Sequence, residues 1–349
     1  MKKLLIVPLL ALALQSMAQE GIIRKHIDGN FYSTPIVTNE NKVVIASHNK
    51  HIYMLDSVGN VTSDYKTNGW VHATPKLIGD TIIGIGSYDG RFYFFQPNGQ
   101  FIKKIKPGGR IFTEPVEMGS NLIAFGNNRG KVVFYNMHAD SIYRAKVSRM
   151  VHGGPKRLAD GRLAIGSNSK RIYLVDSAAN VQYKYKTHGW IMHSKPTETT
   201  DSLIVVGSYD NNVYALNQQA ELVWYFKTEG RIHSNIVQLS NGLLVFGSWD
   251  GYVYFIDANG QLVNKYKTGA KVVSSPAIVT DNMLAISSFD GNMYLFDFSG
   301  KMLGKVNLGF RIFSTPIVMR NGTVFNCTMQ GDMVFVTPQA LREIVGATE

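Results

Sequence analysis

A period of about 40 residues runs through almost the whole chain and constrains the fold more than any other feature. Each copy opens with a short segment that holds a small residue and usually a proline. These opening segments lie at residues 31–35, 71–75, 111–115, 151–155, 192–196, 232–236, 272–276 and 312–316. The fifth copy carries one extra residue between Gly189 and Pro196, and the sixth has Ile236 in place of proline. Such a repeat indicates one structural unit that packs against copies of itself.

Each copy divides into four predicted strands, which we call A to D. Strand A is the opening segment, B and C are apolar runs such as residues 43–47 and 52–56, and D is more polar. Asp250-Gly251 between B and C, and Asn259-Gly260 between C and D, predict tight hairpins because these residue types tolerate positive φ. Strands B and C are apolar at consecutive positions, so both sheet faces must be covered. The sequence therefore predicts an all-β, eight-bladed β-propeller of four-stranded antiparallel blades.

The two ends of the repeat predict how the ring closes. The eighth copy supplies strands A, B and C but no strand D, whereas residues 22–27 form an orphan D-like strand before the first copy. Pairing this N-terminal strand with the last blade closes the ring. A seven-bladed ring is the alternative, but it would leave one complete copy of the repeat unused. The propeller is predicted over residues 19–337, and no linker divides it into two domains. Residues 338–349 are expected to form a loosely held tail.

The N-terminal residues 1–18 have the features of a signal peptide. Lys2 and Lys3 precede an apolar stretch over residues 4–14, and Ser16 and Ala18 are the small residues that a signal peptidase requires. Cleavage is expected after Ala18, which predicts a periplasmic or secreted protein. No cysteine lies near this site, so a lipid anchor is not expected there. No later apolar run is long enough for a transmembrane helix.

Charge and cysteine usage narrow the possible partners. The formal net charge of +11 favours an acidic partner, such as an anionic lipid, an acidic glycan or the acidic face of an envelope protein. Nucleic acid is a poor match for an exported chain. Cys327 is the only cysteine, so no internal disulfide can form, and its strand-like surroundings predict a buried, inert thiol. We expect a monomer.

The most regular copies share a motif, Gly-Ser-x-Asp-Gly-x-Val-Tyr, that continues into Asp-x-x-Gly and then Lys-Thr-x-Gly; residues 247–257 show it best. Over residues 22–337 the pattern resembles the pyrroloquinoline-quinone-like propeller repeat. Among exported members, the chain is similar to outer-membrane assembly lipoproteins of the BamB type, which implies a non-enzymatic scaffold. The chain lacks the tryptophan that many members place near the end of strand D, so blades are expected to dock by mixed aromatic and aliphatic packing. The corresponding residues are Tyr65, Ile105, Ala145, Tyr185, Phe226, Tyr266 and Val306.

The D–A loops and B–C turns are expected on one face, around the mouth of the central channel. In ring order the loops present Asn30, Trp70, Arg110, Met150, Trp190, Arg231, Lys271 and Arg311. Indole rings stack on sugars and arginine forms bidentate bonds to carboxylates, so the two tryptophans and four cations predict a surface for a ligand or partner. We call Trp70, Arg110, Trp190, Arg231, Lys271 and Arg311 the rim. The alternative is structural: the tryptophans cap gaps between blades and the arginines pair with acids of neighbouring loops.

Four histidines are predicted to line the channel. His72, His152 and His233 share one position of the repeat, and His193 aligns with them if the extra residue precedes it. Only His193 and His233 are expected to be neighbours, and a wide channel would separate the others. We therefore expect structural or solvent-lining histidines, with no metal site and no cofactor.

Three functions remain open from the sequence. The chain carries no phosphate-binding loop, nucleophile elbow or paired-acid motif, so no catalytic residue is predicted. A non-enzymatic binding scaffold, with a role in envelope or outer-membrane protein assembly as its most concrete version, fits best. A carbohydrate-binding or carbohydrate-cleaving propeller is the alternative. A quinoprotein dehydrogenase is disfavoured, because enzymes of the resembled family are longer and need an acidic calcium site and a catalytic aspartate.

Overall fold

Eight antiparallel sheets of four strands each confirm the predicted eight-bladed propeller. The computed structural model describes residues 20–119 and 121–347. The predicted signal peptide, residues 1–18, lies outside the described residues.

The first four blades follow the repeat copies in order. The first strand of the chain is β1 (Ile22–His26), and blade 1 contains β2 (Ile36–Val37), β3 (Val43–Ala46), β4 (His51–Leu55) and β5 (Val61–Lys66). Blade 2 contains β6 (Lys76–Ile78), β7 (Ile82–Gly86), β8 (Phe92–Phe95) and β9 (Phe101–Ile105). Blade 3 contains β10 (Val116–Gly119), β11 (Leu122–Gly126), β12 (Lys131–Asn136) and β13 (Ser141–Lys146). Blade 4 contains β14 (Lys156–Arg157), β15 (Leu163–Ser167), β16 (Arg171–Val175) and β17 (Val181–Lys186).

The last four blades repeat this order. Blade 5 contains β18 (Thr197–Glu198), β19 (Ile204–Gly207), β20 (Asn212–Leu216) and β21 (Leu222–Lys227). Blade 6 contains β22 (Val237–Gln238), β23 (Leu244–Gly247), β24 (Tyr252–Ile256) and β25 (Leu262–Lys267). Blade 7 contains β26 (Ala277–Thr280), β27 (Met283–Ser287), β28 (Asn292–Asp297) and β29 (Met302–Asn307). Blade 8 contains β30 (Ile317–Val318), β31 (Val324–Cys327), β32 (Asp332–Val336) and, from the other end of the chain, β1 (Ile22–His26).

The N-terminal strand closes the ring as predicted. β1 pairs antiparallel with β32, from Ile22 opposite Val336 to His26 opposite Asp332. It occupies the outermost place in blade 8, which strand D occupies in every other blade. Because β1 joins this sheet, β32 has a hydrogen-bonded strand on each side, as strand C has in the other blades.

The core consists of eight apolar clusters, each between two adjacent blades. The B and C strands are almost wholly buried, as in β3 and β8, because both of their faces pack against a neighbouring blade. Tyr65, Tyr185 and Ala145, at the end of strand D, join these clusters, so the blades dock through mixed aromatic and aliphatic contacts.

Glycine at the end of strand B allows the next copy to approach. A Cβ placed on Gly86 would lie 2.2 Å from Cγ2 of Ile111, the first apolar residue of the following copy. Gly207 meets Ile232 in the same way. A larger residue here would force adjacent blades apart, which explains why the motif has glycine at this place.

The C-terminal segment differs from its expected form. Residues 338–346 are not a loose tail, since α1 (Pro338–Gly346) packs on the outer strand of blade 7 and buries Ala340 and Leu341. Thr337 caps the helix, its hydroxyl accepting a hydrogen bond from the Ala340 amide. Within residues 20–119 and 121–347, no helix is long and apolar enough to cross a membrane.

Candidate functional site

The D–A loops and the B–C turns lie against one another on one face of the ring. In every blade, the residue that follows the small residue of the B–C turn donates its amide to the carbonyl of a D–A loop residue, at 2.8–3.0 Å. The loop residues are Asn30, Trp70, Arg110, Met150, Trp190, Arg231, Lys271 and Arg311. The backbone of all eight loop residues, the six rim residues included, is therefore held by the same hydrogen bond around the mouth of the channel.

The turn aspartates hold the two loops together. In blade 6, the Asp250 carboxylate accepts hydrogen bonds from the Tyr254 hydroxyl at 2.8 Å and from the Glu229 amide in the D–A loop at 3.1 Å. Asp290 makes the equivalent bonds to Tyr294 and Gly269. These hydrogen bonds hold each turn against its D–A loop, and in the described residues no turn aspartate forms an ion pair with a rim cation.

The four rim cations are exposed and make no ion pair with any residue in the described part of the chain. Three of them lie over aromatic rings instead. Arg110 lies 6.0 Å from the ring of Tyr88, Arg231 lies 5.2 Å from Trp249, and Lys271 lies 4.4 Å from the same indole. The alternative prediction, that these arginines pair with loop acids, is wrong. Cation–π contacts orient the cations and leave their charge uncompensated.

The two rim tryptophans are half-exposed, Trp70 at 51% and Trp190 at 46%. The indole of Trp70 stacks on the imidazole of His48 with centroids 5.1 Å apart. Trp190 borders a cleft together with Arg149 and Met150. Exposed indoles beside unpaired cations form a surface suited to contact with another molecule.

Two buried polar atoms in the B–C turns have no hydrogen-bond partner in the described structure. They are Oδ1 of Asn168, in the cleft beside Trp190, and Nε1 of Trp249, beneath Arg231 and Lys271. A buried polar atom without a partner is costly, so both atoms mark places where a ligand could donate or accept a hydrogen bond.

The channel histidines meet, contrary to the prediction that a wide channel separates them. Ring centroids are 5.5 Å apart for His72 and His152, 4.1 Å for His152 and His193, and 3.8 Å for His193 and His233. His152 and His193 lie on adjacent blades 4 and 5, so His193 and His233 are not the only neighbouring pair. One nitrogen each of His72, His152 and His193 lies within 4.8 Å of the other two.

Large side chains at the equivalent position of other blades explain this convergence. Tyr32, Phe112 and Phe313 project into the channel at the same level and contact the imidazoles, as in the 4.7 Å stack of Phe112 on His152. These rings narrow the channel, so residues from non-adjacent blades touch. Ile191 and Ser194 occupy the same places in copy five as Ile232 and Ser234 in copy six. Copy six has one residue between them, His233, whereas copy five has two, Met192 and His193.

Hydrogen bonds fix two of the imidazoles. Nδ1 of His233 donates to the carbonyl of Val273 at 3.1 Å, which places the ring lone pair on Nε2. Nδ1 of His72 and Nε2 of His48 share a hydrogen bond of 2.9 Å. Nδ1 of His152 is buried and has no partner in the described structure. Burial lowers the pKa of His152 to about 4 and that of His233 to about 3, so both rings are neutral at pH 7.

A second layer of the channel lies below the histidines. Nζ of Lys195 and the Glu114 carboxylate form an ion pair of 2.9 Å between blades 5 and 3. The cavity bounded by the two layers has a volume of about 90 Å³. Organic ligand sites usually measure about 300–1,000 Å³, so this cavity suits water or a single ion and not a sugar or a quinone.

Sequence reasoning missed the contribution of the B–C turns to this site. His48, Tyr88, Tyr209 and Trp249 contact the rim or the channel histidines, and none of the four was predicted to belong to the site. All four occupy the same position of the repeat, directly before the turn aspartate, which in the first copy is Asn49. The same position holds an aromatic ring in five of the eight copies, since Phe289 also occupies it.

The buried thiol of Cys327 fits its predicted inert role. Burial raises its pKa to about 12, and its sulfur lies 3.4 Å from the Ser314 hydroxyl. A thiol with such a pKa is not ionised at neutral pH and is a poor nucleophile.

Solved structures resemble this chain across most of its length. BamB from Moraxella catarrhalis superposes with a TM-score of 0.75 at 12% identity, covering 89% of this chain and 97% of that one. The computationally designed protein Ika8 gives a TM-score of 0.74 at 14% identity, covering 89% and 98%. Sqt1 from Saccharomyces cerevisiae gives 0.77 at 14% identity, covering 91% and 98%. No protein-family model and no curated protein matches the sequence. The resemblance at these identities establishes a BamB-like propeller fold.

Proposed function

We propose that this protein is an exported, non-enzymatic scaffold that binds an acidic protein of the cell envelope on its rim. The main support is that the four rim cations are exposed and have no ion-pair partner in the described structure: Arg110, Arg231, Lys271 and Arg311. The nearby turn aspartates accept hydrogen bonds from tyrosines and backbone amides instead. Opposite charges on a partner would supply the missing counter-charges and speed association.

The shape of the site favours a protein over a small molecule. The channel cavity of about 90 Å³ is too small for an organic ligand, whereas the rim above it presents a broad exposed surface. Tryptophan and arginine are the residues that most often dominate the affinity of protein interfaces. Trp70 and Trp190 provide large apolar contacts between the cations.

The residues of the channel do not fit a quinoprotein dehydrogenase. The cavity is too small for the quinone. Within residues 20–119 and 121–347, the one group of three side chains placed to hold a metal consists of histidines, whereas calcium requires oxygen ligands. An assembly role of the BamB type, which the sequence resemblance implies, is consistent with a rim that binds protein.

A charge-reversal experiment tests this proposal. The rim variant reverses the four rim cations and carries Arg110→Glu, Arg231→Glu, Lys271→Glu and Arg311→Glu. Its control reverses four exposed lysines, three on outer strands and one in a C–D turn. The control carries Lys104→Glu, Lys184→Glu, Lys301→Glu and Lys305→Glu, so its net charge equals that of the rim variant. Both proteins must first show the wild-type circular dichroism and melting profile.

The readout is recovery of partners from envelope extract at low and high salt. Wild type and control are expected to recover the same acidic protein. The rim variant is expected to recover at least about tenfold less of it. Retention by the rim variant with loss by the control would refute the rim as the binding face. Recovery of an acidic glycan alone, with no protein, would replace the scaffold proposal by the carbohydrate-binding alternative.

A further inference from the structure

We propose that His72, His152 and His193 form a binding site for one transition-metal cation of the Zn²⁺ class inside the propeller channel. The inference is independent of the rim and of any partner bound there. It assigns a cation site to residues that come from three blades and meet at one level of the channel.

The convergence of nitrogen atoms carries the proposal. One nitrogen from each of the three imidazoles lies within 4.8 Å of the other two. In a tetrahedral site with metal–nitrogen bonds of about 2.0–2.1 Å, the ligand nitrogens are about 3.3 Å apart. Metal binding would therefore require side-chain rotations that shorten these separations to about that value. The 90 Å³ cavity leaves space for a water molecule as a fourth ligand.

Surrounding contacts prepare the imidazoles for metal binding. When Nδ1 of His72 donates to Nε2 of His48, the lone pair of His72 resides on Nε2. A partner that holds the second ring nitrogen is the usual outer contact of a metal-bound histidine. His152 is 92% buried, its exposed fraction being 8%, and its Nδ1 has no hydrogen-bond partner in the described structure. Binding of a cation by the imidazole group would give this buried ring a polar partner.

The donor set selects the class of cation. Three imidazoles in an aromatic surround suit Zn²⁺, Co²⁺, Ni²⁺ or Cu²⁺, whereas Mg²⁺ and Ca²⁺ require oxygen ligands. The nearest carboxylate in the lining, that of Glu114, is paired with Lys195. Because the ligands come from blades 2, 4 and 5, the bound metal would tie non-adjacent blades together across the channel and stabilise the closed ring.

Metal titration of the full mature chain, with any purification tag removed, tests the site. Chelator-stripped protein is titrated with Co²⁺, followed by visible absorption, and then with Zn²⁺ in competition. We expect one Co²⁺ per chain, a visible band typical of nitrogen ligands without a thiolate, displacement by Zn²⁺, and a melting temperature several degrees higher with Zn²⁺ than without.

Phenylalanine substitutions remove ligands while keeping the channel filled, because Phe112 and Phe313 already occupy equivalent positions. His152→Phe and His193→Phe are each expected to weaken binding by about 100-fold or more, and His233→Phe by less than about tenfold. His138→Gln and His188→Gln, at exposed histidines, serve as controls and should bind as wild type. Absence of stoichiometric binding by folded wild type, or binding that survives the double variant His152→Phe, His193→Phe, would overturn the proposal.

Discussion

Nε2 of His48 lies 2.9 Å from Nδ1 of His72, and this contact joins the rim to the channel. His48 belongs to the B–C turn of blade 1, and His72 belongs to the opening segment of blade 2. The imidazole of His48 also stacks on Trp70, whose indole is half-exposed at the rim. One side chain, that of His48, therefore separates Trp70 on the rim from the channel histidine His72.

The rim tryptophans should matter for binding and little for folding. Trp70→Ala with Trp190→Ala is expected to lower the free energy of unfolding by less than about 1 kcal/mol, because both indoles are half-exposed. The same change should weaken partner binding by about 30-fold if one of the two indoles is a hot spot of about 2 kcal/mol, and by about 1,000-fold if both are. Urea denaturation and surface plasmon resonance measure the two effects. Tyr225→Ala, which removes a 61%-exposed ring from the outer strand β21, is the control and should leave binding unchanged.

The stability of the metal-free protein should fall as the pH is lowered from 7 to 5. Burial lowers the pKa of His152 to about 4 and that of His233 to about 3, from 6.5 in the unfolded chain. In this range the unfolded chain binds protons that the native state excludes, so each histidine should remove on the order of 2 kcal/mol from the free energy of unfolding. Urea denaturation in the presence of chelator measures this loss.

The matched variant for the pH experiment is His152→Phe, His233→Phe, which keeps aromatic rings in the channel. Its free energy of unfolding should depend less steeply on pH between 7 and 5 than that of wild type. An equally steep dependence would show that these two imidazoles are not buried in their neutral form.

The docked C-terminal helix should contribute to stability. Leu341→Ala removes a side chain that is 4% exposed and packs beside blade 7, and it should lower the free energy of unfolding by about 2–4 kcal/mol. Arg342→Ala, at the next and exposed position, should change it by less than about 0.5 kcal/mol. Equal and negligible effects in urea denaturation would mean that α1 does not dock in solution.

The periodic parts of this fold were predictable from the sequence. The missing strand D of the eighth copy and the orphan strand at residues 22–27 together required the pairing of β1 with β32. Asp250-Gly251 and its equivalents identified the turns because positive φ at these places restricts the residue type. Each of these features follows from backbone geometry that every copy must satisfy.

The parts that depend on side-chain packing were not predictable in the same way. The convergence of His72 with His193 depends on how far Tyr32, Phe112 and Phe313 fill the channel, and the period does not encode channel width. The repeat pattern also does not determine that Arg231 lies over Trp249, or that the nearby Asp250 accepts a hydrogen bond from Tyr254. The helix α1 has a local signal, Thr337-Pro338 at its start and apolar Leu341 and Val345 on one face, but nine residues make a weak pattern.

Site-specific photocrosslinking in the native cells tests the central claim, that the rim is the face that binds a protein partner. A photoreactive amino acid is placed at Trp190 or Arg311 on the rim, and in separate proteins at Tyr225 or Val263, which are exposed on the outer strands of blades 5 and 6. We expect crosslinks from both rim positions to the same acidic envelope protein, and none to that protein from the outer strands. Crosslinks to the partner from the outer-strand positions alone would contradict it.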